Sequence, residues 1–174
     1  WYETVKLNYG VDYHNYQYRD FSTIPNTWKK MLDILNYWAN MGVDGFRCDM
    51  AEMVPVEFWS WVIPQVKEVN NELTFIAETY DPNQYGRYLN EGHFDYLYDK
   101  VGLYDTLRKV VTHKCNTGDI CHSWQSLNGH KEQMLNFMEN HDEHRIASIF
   151  FADDAIKGRP AMLVSATISQ GPVM

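Results

Sequence analysis

Three acidic residues stand where short apolar runs end. Asp49 follows Gly45-Phe46-Arg47-Cys48, Glu78 follows Phe75-Ile76-Ala77, and Asp142 closes Asn140-His141-Asp142. At the ends of parallel strands such side chains leave the packed interior and face whatever the protein binds. Carboxylates placed there exchange protons or hold polar groups. Three of them converging would repel one another, a cost that structure alone does not explain. The plainer alternative is that each is a helix N-cap in a strand-to-helix loop. His141 and His144 flank Asp142 and Glu143. They raise the question of a metal, but no third ligand follows at a usable spacing, so no metal is expected there. His93, His113, His122 and His130 read as surface or loop histidines, and Glu139 as a bystander.

The elements that must carry these residues alternate. Trp28, Met31, Leu32, Leu35, Trp38 and Ala39 fall at helical spacing. They predict a helix capped by Asn26 or Thr27, running to about Met41 and ended by Gly42. Val43–Cys48 reads as a buried parallel strand. Pro55 opens a second helix in which Pro64 predicts a kink or break. Further strands are expected at 74–77, 94–98 and 134–138, with one beginning at Gly171. Helices are expected near 85–89, 103–113, 120–127 and 159–169. Strict alternation of this kind gives right-handed β-α-β units, a parallel sheet and an α/β fold. The first 25 residues are rich in Tyr, Asn and Asp, show no sustained period, and read as a loop.

Composition sets wider bounds. The chain has 174 residues, enough for one real core. A net charge of −8 argues against a nucleic-acid groove or an anionic membrane surface as partner. No apolar run is long enough for a membrane span. Twelve Tyr and six Trp suit a protein that grips something flat and polar, such as sugar rings, although most aromatics are core. Cys48 reads as a buried free thiol. Cys115 and Cys121 are near enough in sequence to pair in an oxidising compartment, though spacing does not fix a bridge. The chain starts at Trp1 and stops at Met174 inside an apolar run, and both ends read as cuts.

Taken together, Gly45-Phe46-Arg47-Cys48-Asp49, Phe75-Ile76-Ala77-Glu78 and Asn140-His141-Asp142 resemble the ordered motifs of the α-amylase family of glycoside hydrolases. The three acids are 29 and 64 residues apart, which suits that fold. The resemblance implies a partial TIM (β/α)8 barrel, about strands four to eight with their helices, over residues 26–174. Residues 1–25 would be the end of an inserted domain, and the remainder of the same barrel would be missing from this chain. It implies that Asp49 is the nucleophile, Glu78 the general acid and then base, and Asp142 a holder of sugar hydroxyls and of the distorted ring. Arg47 would orient Asp49 and keep it ionised, and His141 would bond a hydroxyl of the same sugar. Tyr80, Trp124, Tyr9 and Tyr13 are candidate stacking platforms, with Tyr80 the one placed among the substrate contacts.

Elementary chemistry agrees with these roles. Two carboxyl groups about 5–5.5 Å apart leave no room for a water, which selects a retaining double displacement. An Arg two residues before the nucleophile points to the same side of the strand and favours its charged form. The acid must instead carry a proton, which burial and an adjacent negative charge favour. The implied partner is an α-glucan, and the chemistry requires no cofactor. Many α-amylases carry Lys-His three and four residues after the nucleophile, contacting sugar and linking to calcium. Glu52 and Met53 stand there instead, which weakens the expectation of a structural calcium. The readings left open are hydrolysis of α-1,4-glucosidic bonds, transglycosylation on the same substrates, and a non-catalytic glucan-binding subunit. A secreted or periplasmic setting, where polymer is met, is favoured over the cytoplasm.

Overall fold

The computed structural model describes residues 5–174. Of the segment 1–25, residues 1–4 therefore lie outside the described part. The rest of that segment carries one small hairpin. Two short strands, β1 (Val11–Asp12) and β2 (Tyr18–Arg19), pair antiparallel, with Val11 opposite Arg19 and Asp12 opposite Tyr18. Asp12 receives the His14 N–H at 3.0 Å, and the Tyr18 N–H returns to the Asn15 carbonyl at 2.8 Å, closing the turn. Two-residue strands are too short to print an alternating pattern, so periodicity could not reveal them.

The α/β expectation is borne out. A four-stranded parallel sheet has the order β3 (Gly45–Cys48), β4 (Thr74–Ala77), β5 (Tyr96–Tyr98), β6 (Met134–Leu135), which is also chain order. Gly171–Met174 adds a parallel bridge from Val173 to Asn136 beside β6. Cys48 pairs with Ala77, so Asp49 and Glu78 leave neighbouring strands at one level. Gly45 explains itself at the other end of that pair. A Cβ there would collide with the Thr74 carbonyl oxygen, so only glycine lets the two backbones approach this closely.

The helices pack around this sheet. Helix α1 (Asn26–Asn40) buries Trp28 and Ala39. It begins at Asn26 itself, with Pro25 in the cap position and no side-chain cap, so the expected caps at Asn26 or Thr27 are corrected. Proline's fixed φ starts the helix without needing a side-chain acceptor. Trp38, assigned by spacing to the buried face, is half exposed and stacks edge-on against Tyr37. Helix α2 (Val56–Lys67) runs through Pro64 without a break, held to the core by the fully buried Val62, Ile63 and Val66. Helix α3 (Tyr85–Asn90) precedes β5. A π-helical turn at Lys100–Tyr104 then leads into α4 (Asp105–Val111), and α5 (Gly118–Ser126) follows.

Helix α6 (Ala155–Thr167) starts four residues before the expected position. The Asp154 side chain accepts from the N–H groups of Ile156 and Lys157 and caps it, which propensity counting over the apolar residues missed. One cluster of the core gathers Trp28, Phe58, Trp59 and Phe75, and a second gathers Tyr98, Tyr104, Phe137 and Phe151. Cys48 is buried and free, and Cys115 and Cys121 are unbridged. No helix among the described residues is long and apolar enough to cross a membrane.

Candidate active site

The carboxyl ends of β3 and β4 build the centre. The Glu78 N–H donates to the Cys48 carbonyl at 3.0 Å, and the Ala51 N–H donates to the Glu78 carbonyl at 2.9 Å. These bonds extend the β3–β4 pairing past Asp49 and Glu78 and hold their backbones side by side. Arg47 lies two residues before Asp49 on β3, as the alternation of a strand requires. Its Nη1 donates to Asp49 Oδ1 at 2.5 Å, and its Nη2 lies 2.8 Å from Glu78 Oε1. Asp142 Oδ2 stands 3.7 Å from the same Nη2. One planar guanidinium thus faces all three acids. Asp49 and Glu78 therefore lie within reach of one small group.

The acids differ in setting. Glu78 is 2 % exposed, whereas the Asp49 side chain is 75 % exposed and Asp142 half exposed. Glu78 Oε2 accepts from the Met50 N–H at 2.8 Å, and Oε1 accepts from the Tyr80 hydroxyl at 2.7 Å. Both oxygens are engaged, so delivering a proton requires that one of these contacts give way. Nη2 of Arg47 approaches Oε1 without hydrogen-bond alignment, which makes that ion contact the weaker hold. Burial by itself would lower the Arg47 affinity for its proton. Contacts with Tyr98, Asp49 and Glu78 outweigh it and hold the guanidinium above its ordinary range. Burial and the bond to Glu78 likewise raise Tyr80, so its hydroxyl remains a donor.

The loop carrying Asp142 is pinned on several sides. Asn140 Oδ1 accepts from the N–H groups of Asp142 and Glu143 at 2.9 and 2.8 Å. Glu143 meets Lys100 Nζ at 3.1 Å, which ties the loop to the turn after β5. Glu139, read from sequence as a bystander, accepts from Arg145 and from the Ile146 N–H. His141 is exposed, with Nε2 at 3.2 Å from Asp142 Oδ2. Among the described residues no group of three His, Cys, Asp or Glu side chains is placed to hold a metal ion. Glu52 spends its Oε2 on the N–H groups of Tyr80 and Asp81.

A cavity of about 420 Å³ opens beside Asp49, lined by Lys6, Tyr9, Tyr13, Met50 and Met53 among others. Tyr9 is half-buried with its ring edge-on to Phe58, while Tyr13 is exposed beneath Lys6 Nζ. Trp124 does not line this cavity, and Lys131 covers its ring at 3.5 Å. The structure thus brings together Arg47, Asp49, Glu78, Tyr80, Asp142 and His141. Sequence reasoning missed three contributors. Tyr98, at the end of β5, receives the Arg47 Nε–H at 3.4 Å, and the rule of strand ends could have found it. Met50 sits in the left-handed region at φ 40°, which aims its N–H at Glu78, and nothing in the local sequence announces that. Glu52 was noticed only as a departure from a motif.

Comparison with known proteins agrees with this geometry. The family model described as alpha amylase, catalytic domain, matches residues 1–173. An alpha-1,4-glucan:maltose-1-phosphate maltosyltransferase of Cereibacter sphaeroides is 26% identical over 112 residues, covering 60% of this chain and 18% of that protein. Alpha-amylase MalA of Haloarcula japonica is 32% identical over 126 residues, covering 67% of this chain and 17% of that protein. A solved alpha-amylase of Lactobacillus plantarum superimposes with a TM-score of 0.69 at 22% identity, over 91% of this chain and 40% of that one. The chain therefore spans under a fifth of the length of these sequence relatives and two fifths of the solved structure, and its sheet is part of a TIM (β/α)8 barrel. On its motifs, its fold and the family match along its length, the chain belongs to the alpha-amylase family, within the catalytic domain.

Proposed function

We propose that the whole protein cleaves α-1,4-glucosidic bonds in starch or maltodextrins by a retaining double displacement. In the first step an Asp49 oxygen attacks the anomeric carbon, the glycosidic C–O bond breaks, and Glu78 gives its proton to the departing sugar oxygen. In the second, Glu78 takes a proton from water, the water oxygen attacks the same carbon, and the bond to Asp49 breaks. Asp142 and His141 hold hydroxyls of the distorted sugar, and Arg47 keeps Asp49 oriented. One observation carries this reading. Asp49 and Glu78 leave adjacent parallel strands at one level and share the Arg47 guanidinium, at 2.5 and 2.8 Å. Two acids gathered on one guanidinium can act on a single sugar bond, and the retaining course is supported by the likeness of their motifs to those of the family.

A second reading, transfer of a maltosyl unit to another sugar, is favoured by the relatives named as maltosyltransferases. Water and an acceptor sugar compete for the same covalent intermediate, so product analysis with and without excess acceptor separates the two. A non-catalytic glucan-binding subunit would have no use for all of Asp49, Glu78, Asp142, Arg47 and His141. The test is turnover of maltoheptaose and soluble starch by the whole protein and its Asp49→Asn and Glu78→Gln variants. Each substitution is expected to cost several orders of magnitude (about 10³-fold or more). Full activity in Asp49→Asn would refute the nucleophile assignment.

A further inference from the structure

We infer that Glu52 is a positioning residue that sets the Glu78 carboxylate through Tyr80, an inference that rests on Glu78 being the acid and base. Glu52 lies in the 3-10 turn Ala51–Met53, immediately after the β3 loop. A single oxygen, Oε2, accepts from the Tyr80 N–H at 3.1 Å and the Asp81 N–H at 3.0 Å. Tyr80, held by its backbone, turns its hydroxyl back and donates to Glu78 Oε1 at 2.7 Å. From the opposite side the Met50 N–H donates to Glu78 Oε2 at 2.8 Å. The buried carboxylate is therefore gripped by two arms. One comes from the loop after β3, the other from the loop after β4, and Glu52 is the tie between those loops.

The chemistry favours this role over general loop support. Charge-assisted bonds from two backbone N–H groups are stronger than neutral ones and fix direction. Asp81 is oriented by the same oxygen, and its own side chain accepts from the Asn83 N–H at 3.0 Å, starting the Pro82–Gln84 turn. Loss of Glu52 frees the backbone at 80 and 81, and the Tyr80 hydroxyl with it. Glu52 has no hydrogen bond to Glu78 or to Asp49, and its two bonds go to the backbone at Tyr80 and Asp81, so the route to Glu78 that it holds directly is Tyr80. A lysine at this position would have only donors and could not accept these two N–H groups.

The experiment compares Glu52→Ala, Glu52→Gln, Tyr80→Phe and the double Glu52→Ala/Tyr80→Phe, with Glu78→Gln as reference, all in the whole protein. Each is assayed for kcat/KM on maltoheptaose, whose leaving sugar needs a proton, and on a nitrophenyl α-maltoside, whose leaving group does not. Glu52→Ala is expected to lose about 10- to 100-fold on maltoheptaose and less than about 3-fold on the aryl substrate. It should also displace the alkaline limb of the pH profile. Tyr80→Phe should show the same split, and the double variant should be no worse than the more damaging single. Glu52→Gln, whose amide oxygen still accepts both N–H groups, should recover most of the loss. Equal losses on both substrates, or additive losses in the double variant, would overturn the inference.

If Glu52→Ala does not fold, Glu52→Lys, which has no acceptor for the two N–H groups, takes its place in the cycle with Tyr80→Phe under the same criterion of additivity. A Glu78→Gln variant that keeps its turnover of maltoheptaose would overturn both the acid–base reading and this inference. A Glu78→Gln variant that loses turnover beside additive Glu52 and Tyr80 effects would overturn this inference alone.

Discussion

Arg47 and Glu78 meet across two neighbouring parallel strands, guanidinium Nη2 to carboxylate Oε1 at 2.8 Å, while the other end of the same guanidinium holds Asp49. The contact follows from register. Arg47 pairs with Ile76 in the ladder, and both acids stand two positions beyond that pair. The planar fork reaches two carboxylates from two nitrogens, which an ammonium on a flexible stem does not. It also offsets the repulsion that three gathered acids would otherwise suffer.

Arg47→Lys should therefore behave as a severe change. The expected loss in kcat/KM on maltoheptaose is about 100- to 1,000-fold, comparable with removal of a preorganised electrostatic group. Steady-state kinetics beside a thermal melt checks it. Loss of activity without loss of fold is the expected pattern, and near-normal kinetics would place the orienting role elsewhere.

Met50 carries the backbone turn that aims an N–H at Glu78, at φ 40° and ψ 49°. A non-glycine residue in the left-handed region costs about 1–2 kcal/mol. Met50→Gly should therefore be more stable than Met50→Ala by about 1 kcal/mol, because only glycine relieves the strain. Urea denaturation of the two variants checks this. An Ala variant as stable as the Gly variant would mean that position 50 is not strained.

Asp99 stands at the end of β5, 1 % exposed, and is not one of the three acids that face Arg47. Burial pushes its carboxyl up to about 6, against the opposing pull of N–H bonds from Leu103 and Gly102. The folded state thus binds this proton more tightly than the unfolded chain does. The contribution to stability is fully present below about pH 4 and is lost as the pH rises through about 6. The loss is about 3 kcal/mol. Asp99→Asn removes that dependence while its amide oxygen still accepts from Leu103. Denaturation at about pH 4 and pH 7 should show the variant gaining on the parent by roughly that amount as the pH rises. A constant difference would contradict the buried-acid account.

How far the sequence could be read depends on the residue. Strand ends and period-2 alternation put Asp49, Glu78 and Arg47 on one face, but left helix capping open for the acids; their roles became legible only through the resemblance of their motifs to those of the α-amylase family. The sheet was legible from alternation alone, although β3 begins at Gly45 and β6 ends at Leu135, inside the expected bounds. Phe137 and Met138 stay buried beyond β6, so apolarity there marked the core and not the ladder. The Val11–Arg19 hairpin was illegible because its strands are two residues long. Met50 was illegible because its strained φ is imposed by the two loops around Glu78. Tyr80 was expected to meet substrate. Its hydroxyl is on Glu78, and only the fold could show which way a half-buried tyrosine turns. Asp154 could have been recognised as a cap, since Asp153-Asp154 stands directly before the helix it starts.

The central claim is that Asp49 and Glu78 act from opposite sides on one sugar bond, and trapping the covalent intermediate tests it most directly. In the Glu78→Gln variant of the whole protein, an α-maltosyl fluoride needs no acid to form the intermediate but lacks the base that would hydrolyse it. Peptide mass spectrometry after brief exposure should find a maltosyl group on the peptide containing Asp49, at that residue. A maltosyl group on Asp142 or any other residue, or substrate turnover with no covalent species at all, would contradict the account.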